Sequence, residues 1–166
     1  MPALFTFGLV VRLVAARRLS FHVDEHFSLL GDRVGPEHGV PLLPSGMPYL
    51  HGATLSYLLV PLVRFGVGDL SDLRPLRLVS AAAGTLAVVL AYYLARDVLG
   101  GCLAVLLAVV PVAVDPLGVQ WGAHARMYVL LQSLVLAMLW AFLRIVQVGL
   151  AQDLIALADD GRAALS

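Results

Sequence analysis

Two carboxylates stand side by side at Asp24 and Glu25, inside the short polar stretch Phe21-His22-Val23-Asp24-Glu25-His26 between long hydrophobic runs. Carboxylates at a membrane edge are costly to keep, which makes the pair a functional-site candidate. Adjacent carboxylates on a helix or turn point in different directions, so one of them would face a given substrate. Such a group can take a proton from an attacking hydroxyl as general base, or hold a divalent cation through its oxygens. The plainer reading is a helix cap, with Asp24 at the N-cap and Glu25 in the first turn. Both readings can hold together.

His22, His26, His38 and His51 place four of the five histidines in or beside the same loop. His22 and His26 have the i, i+4 spacing that sets two ligands on one helix face, so His22, Asp24 and His26 are candidate metal ligands. No second tight pair follows, and interfacial histidines also bond headgroups or water. A divalent metal is therefore a possible cofactor, not a required one. Further along, Gly122-Ala123-His124-Ala125-Arg126-Met127-Tyr128 opens the last hydrophobic run. Arg126 and Tyr128 could bind a phosphate, since a guanidinium fork matches phosphate oxygens and a phenol can add a bond. They could equally be an ordinary interfacial anchor pair. Arg74-Pro75-Leu76-Arg77 reads as a membrane boundary, with a headgroup or phosphate contact by Arg74 as the sharper alternative.

The scaffold that must position these groups is a membrane one. Of 166 residues, 60% are hydrophobic and 13% charged, against roughly 25% charged in a soluble domain. Mean hydropathy is +0.90. The formal net charge is +0, which leaves no basic footprint for nucleic acid. The one cysteine, Cys102, excludes a disulfide framework and a Cys-based metal cluster. All 11 cations are arginine, and asparagine is absent, a bias that looks like a GC-rich bacterial genome.

Five apolar segments can be drawn, at residues 1–16, 49–65, 78–95, 102–117 and 127–148. A crossing helix needs roughly 20 apolar residues, with about 17 as a practical minimum. The third and fifth meet that measure, the second and fourth are short, and Arg12 interrupts the first. The runs are continuous rather than alternating, which predicts helices and not barrel strands. The N-terminal run lacks a basic leader and a clean cleavage site, so it reads as a retained helix rather than a signal peptide. Between the first two spans lies a long polar region, residues 20–48. Residues 24–34 are expected to form a short surface helix, and the Pro-rich residues 35–48 an irregular segment. Gly84 with Ala81, Ala82 and Ala83 reads as a close helix-packing face. Arg96 and Asp97 read as a solvated pair, and Asp115 before Pro116 as the turn that closes the fourth span.

The fold class expected is thus all-α: a polytopic helical membrane protein with four or five transmembrane helices and one long extramembrane loop carrying a short surface helix. Residues 1–150 form the membrane region and 151–166 a polar tail. Orientation is contradictory at this level. Arg17 and Arg18 after the first span, and Arg64, Arg74 and Arg77 around the second connection, each claim the cytoplasmic side. Both claims cannot hold if the second segment crosses fully.

The order of features adds a resemblance. An arginine-bearing first helix is followed by Asp24-Glu25, a Pro/Gly loop, Pro48-Tyr49-Leu50-His51-Gly52, Phe65-Gly66 and Leu73-Arg74-Pro75-Leu76-Arg77-Leu78-Val79-Ser80. Gly84, Tyr92-Tyr93-Leu94-Ala95-Arg96, Pro111 and Ala125-Arg126-Met127-Tyr128 then follow. Over residues 9–143 this resembles the N-terminal part of the polyprenyl-phosphate-sugar-dependent membrane glycosyltransferases. That GT-C group includes protein O-mannosyltransferases and the lipid A aminoarabinose transferase, and the likeness is greatest to its bacterial envelope-glycan branch.

The resemblance implies transfer of a sugar from a lipid-phosphate donor to a lipopolysaccharide, other lipid or protein acceptor at a bacterial inner membrane. Asp24 would act as base or electrostatic partner, Glu25 as its supporting neighbour, and the loop 20–48 as the catalytic loop. Arg126 and Tyr128 would hold the donor phosphate. Relatives often carry an acidic residue where this chain has His124, and they are usually several hundred residues long, so the chain is expected to be a fragment, with the remainder of a split enzyme as a partner. Two rivals stand beside this reading: a non-catalytic membrane subunit that binds lipid phosphate, and a zinc-binding membrane protein using His22, Asp24 and His26.

Overall fold

The computed structural model describes residues 2–20, 23, 25, 40, 42–43, 45–48, 53–65 and 74–163. Six helices are found among them: α1 (Pro2–Arg18), α2 (Ala53–Arg64), α3 (Arg74–Leu99), α4 (Cys102–Val114), α5 (Pro116–Ala123) and α6 (Met127–Ala163). The described residues of the Pro-rich segment hold a single isolated bridge, Leu42 to Pro48, closed through Gly46 at φ 80. Among the described residues every named element is a helix, as the unbroken apolar runs predict.

α3 is the central helix and packs against each of the other five. α1 lies antiparallel to it: Ala16 and Leu19 at the end of α1 meet Arg77 near the start of α3. Phe5 near the start of α1 packs edge-on against Tyr92, ring centroids 5.8 Å apart. Val88 of α3 forms one buried cluster with Val105, Val109 and Ala113 of α4, and Leu55 and Leu59 of α2 form a second with Leu76 of α3 and Ala125. Leu59, Leu76, Val88 and Val109 are fully buried. Ser133 donates to the Ala83 carbonyl at 2.6 Å, tying α6 to α3 across a small-residue face.

Among the described residues, two helices are long and apolar enough to cross a membrane, within Leu76–Leu99 and Met127–Gln152. The bent pair α4–α5 makes a third if counted as one span. The bend, 49°, comes at Asp115-Pro116. Pro116 has no N–H for the Val112 carbonyl four residues back, and the residue before a proline is pushed out of the helical region. Asp115 accordingly adopts φ −51, ψ 120, ends α4, and caps α5 by accepting from the Gly118 amide. The turn expected at Asp115 is present, and the stretch between the fourth and fifth apolar segments is helical as far as Ala123.

Two arginines are drawn into this bundle, each onto the C-terminus of a neighbouring helix. Arg12, 1% exposed, donates to Val112 O and Ala113 O at 3.3 Å and to Gly8 O of its own helix at 3.0 Å. It thus bonds the Val112 carbonyl that Pro116 leaves open. Gly84 and Gly122 clear its path: a Cβ on Gly84 would stand 2.5 Å from Arg12 Nε, and one on Gly122 3.1 Å from it. The small face at Gly84 therefore admits an arginine, not only a helix backbone.

The far end of α3 corrects a second expectation. Asp97 does not form a solvated pair with Arg96. It accepts from Arg144 Nε at 3.0 Å and Trp140 Nε1 at 3.0 Å, its side chain 13% exposed. Trp140 in turn packs on Tyr93, with centroids 5.6 Å apart.

Candidate active site

Glu25 is fully buried, although it stands in the most polar part of the sequence. Its Oε1 accepts from Arg77 Nε at 2.9 Å and its Oε2 from Arg77 Nη2 at 2.7 Å, a bidentate fork. Oε1 also accepts from the backbone N–H of Ala125 at 2.7 Å. One carboxylate thereby joins the first loop, the start of α3 and the strip between α5 and α6.

Arg77 spends the rest of its donors on the end of α1. Nη1 reaches Ala16 O at 2.9 Å and Leu19 O at 3.0 Å, and Nη2 reaches Ser20 O at 3.1 Å. With the two bonds to Glu25, all five guanidinium N–H groups have acceptors. These carbonyls belong to the last turn of a helix and its exit, where no intrahelical donor remains. Arg77 stands at the start of the span Leu76–Leu99, where the boundary reading puts it, but it is 5% exposed and bonds protein groups. The signal that could have found it is the pairing itself, an arginine near a helix start and a carboxylate in a loop between apolar runs.

The strip at residues 124–126 owes its shape to the break between two helices. α5 stops at Ala123, His124 is extended (φ −97, ψ 149), and the Arg126 amide donates to His124 O at 2.8 Å. Being outside both helices, the Ala125 N–H is available to Glu25. His124 is buried, its Nδ1 2.8 Å from Gln120 O. A carbonyl can only accept, so Nδ1 carries the proton.

Arg126 is buried as well, with Nη2 3.4 Å from the Tyr128 hydroxyl and its guanidinium carbon 5.4 Å from that ring's centre. Trp121 completes the cluster, edge-on to Tyr128 at 5.0 Å and tilted against His124 at 5.9 Å. Tyr128, 38% exposed, is its accessible member. A cation and a phenol beside an apolar surface suit a phosphate that arrives on a lipid.

The structure brings Glu25 against the strip that carries Arg126 and leads into α6 two residues before Tyr128. Asp24, His22 and His26 lie outside the described residues, as does most of the surface helix expected over residues 24–34; Val23 and Glu25 are helical. Arg74 opens α3, but its side chain is not among those described. Among the described residues no three metal-ligating side chains come together.

Residues 65–158, more than half of the chain, match the family model described as dolichyl-phosphate-mannose-protein mannosyltransferase. The matched segment takes in Arg77, Arg126 and Tyr128 and begins after the Asp24-Glu25 pair. No curated protein and no solved structure matches the chain. With the segment that carries its central helix and its buried arginine cluster accounted for in this way, the chain belongs to the dolichyl-phosphate-mannose-protein mannosyltransferase family, a family of membrane glycosyltransferases that use lipid-linked sugar donors.

Proposed function

We propose that this chain provides the reaction end of a glycosyltransferase that moves a sugar from a polyprenyl-phosphate donor to an envelope glycan, lipid or protein acceptor at a bacterial inner membrane. The observation that carries the reading is the Glu25–Arg77–Ala125 junction, which sets the residue next to Asp24 against the strip of Arg126 and Tyr128. Asp24 takes the proton from the acceptor hydroxyl as its oxygen attacks the anomeric carbon. The bond from that carbon to the donor phosphate oxygen breaks, and the phosphate leaves on its lipid. Arg126, with Tyr128 and Arg74, offsets the negative charge that grows on this leaving group. Glu25 is a positioning residue here: its carboxylate oxygens are engaged in holding three segments together.

Sugar transfer measured in membranes with a polyprenyl-phosphate sugar tests this assignment. Asp24→Asn is expected to abolish transfer and to leave donor binding within about twofold, because the charge it removes acts on the acceptor side. Wild-type transfer rates in Asp24→Asn would remove Asp24 from the reaction. Loss of donor binding in Arg126→Ala, with no transfer by the parent protein under any condition, would favour the non-catalytic lipid-phosphate binder.

A further inference from the structure

Arg12 stands on both sides of the α4–α5 bend. Its guanidinium donates to Val112 O and Ala113 O, at the end of α4, each at 3.3 Å. Its stem lies against Gly122 of α5, where a Cβ would meet Nε at 3.1 Å, Cδ at 3.3 Å and Cγ at 3.6 Å. The 49° turn between the two helices is thus braced from α1, by a side chain that holds the first helix and supports the second. One turn on from Arg12, on the same face of α1, the Ala16 carbonyl accepts from Arg77 Nη1 at 2.9 Å. Arg77 forks onto Glu25, and Glu25 Oε1 accepts from the Ala125 N–H at 2.7 Å. The contacts close into a ring that runs from Arg12 through Gly122, the strip 124–126, Glu25 and Arg77 back to α1.

We infer that Arg12 is a positioning residue for Arg126: by setting the α4–α5 bend it brings the strip to the place where Arg126 meets the donor phosphate. This rests on the donor reading above. Arg12 is 1% exposed and bonded to three carbonyls, so it acts through the strip and not on the donor itself. The ring needs both of its links to α1, which lie about 6 Å apart along that helix. The bond from Ala125 to Glu25 holds the strip at one point and leaves it free to turn there. The break at Asp115-Pro116 leaves α5 without a continuous backbone ladder to α4. Arg12 removes that freedom. Its guanidinium is suited to the place, because the open carbonyls at the end of α4 carry the negative end of that helix's dipole.

The test compares Arg12→Leu, Pro116→Ala and the double variant Arg12→Leu/Pro116→Ala in the whole chain. Three quantities are read: sugar transfer from a polyprenyl-phosphate sugar, thermal stability, and Trp121 fluorescence in a Trp140→Phe background. Trp121 is edge-on to Tyr128 at 5.0 Å, so its emission reports whether α5 stays seated beside the start of α6. In Arg12→Leu, kcat is expected to fall about 100-fold, with a much smaller change in donor KM, as a misplaced group at the reacting centre produces. Trp121 emission should shift to the red. Pro116→Ala returns an N–H to the Val112 carbonyl, so the double variant is expected to recover stability while kcat stays low and the emission stays shifted. Pro116→Ala alone, with Arg12 still in place, should keep the parent kcat and spectrum. Recovery of kcat along with stability in the double variant would overturn the inference, since Arg12 would then serve the fold only. A parent kcat or an unshifted Trp121 spectrum in Arg12→Leu would also overturn it, and so would loss of kcat in Pro116→Ala, which would assign the bend to the proline. No transfer by the parent protein under any condition would remove the donor reading, and the Trp121 shift would then decide by itself whether Arg12 holds the strip.

Discussion

Glu25 and Arg77 illustrate how a charged pair earns its place away from water. Burying either ion alone costs several kcal/mol, and the pair is tolerated because every guanidinium N–H has an acceptor. Breaking it should therefore be worse than removing it. Glu25→Gln and Arg77→Leu are each expected to cost about 3–5 kcal/mol, while the double variant Glu25→Gln/Arg77→Leu costs less than the two single losses combined. Thermal unfolding in detergent checks this, and strictly additive losses would mean that the two side chains do not act as a pair. Arg77→Lys is not a conservative change at this site, since one ammonium cannot serve both Glu25 oxygens and three carbonyls.

Among the elements, the α4–α5 break is where local sequence and packing meet. Pro116 opens a carbonyl, Asp115 caps the new helix, and Arg12 from α1 bonds what Pro116 left. Glycines make the approach possible, which orders three substitutions. Gly84→Ala places a Cβ 2.5 Å from Arg12 Nε and 2.9 Å from its Cδ, and is expected to cost about 1–3 kcal/mol by overpacking. Gly122→Ala, at 3.1 Å, should cost less. Gly149→Ala meets nothing within 4 Å and should be neutral or stabilising by up to about 1 kcal/mol through helix propensity. The same melting experiment gives the order, and a Gly149 variant as unstable as the Gly84 variant would show that Arg12 is not what the small residues serve.

Taken whole, the molecule has two polar ends. Arg77 and Asp97 are separated by 20 residues of α3, about 30 Å of helix and so about one hydrocarbon thickness. At the first end lie Glu25, Arg77, Arg126 and Tyr128; at the other, Asp97, Arg144 and Trp140. The conflict in the arginine count eases on this view, because Arg77 is buried and its charge is met by Glu25. Side-specific labelling tests the span. Cys102 is exposed just past the far end of α3, and Ser20 is exposed at the near end. In sealed vesicles of one orientation, an impermeant maleimide should reach Cys102 from one side, and a Ser20→Cys/Cys102→Ala variant from the other. Labelling of both from the same side would show that α3 does not cross.

Much of this was legible along the chain. Helices in a membrane follow from apolar runs with few charges, because a backbone beside lipid must bond to itself. Arg12 announced itself as a charge inside such a run, and Asp115-Pro116 as a turn, since both signals are local. What the linear order could not decide was which charged groups face protein. Glu25 is 52 residues from Arg77 and 100 from Ala125, and Arg12 is 100 from the carbonyl of Val112. No periodicity links positions so far apart. Only the packing of α1, α3 and α6 turned a boundary arginine and a loop carboxylate into one buried pair, because burying an ion is affordable only where a second element supplies its partners.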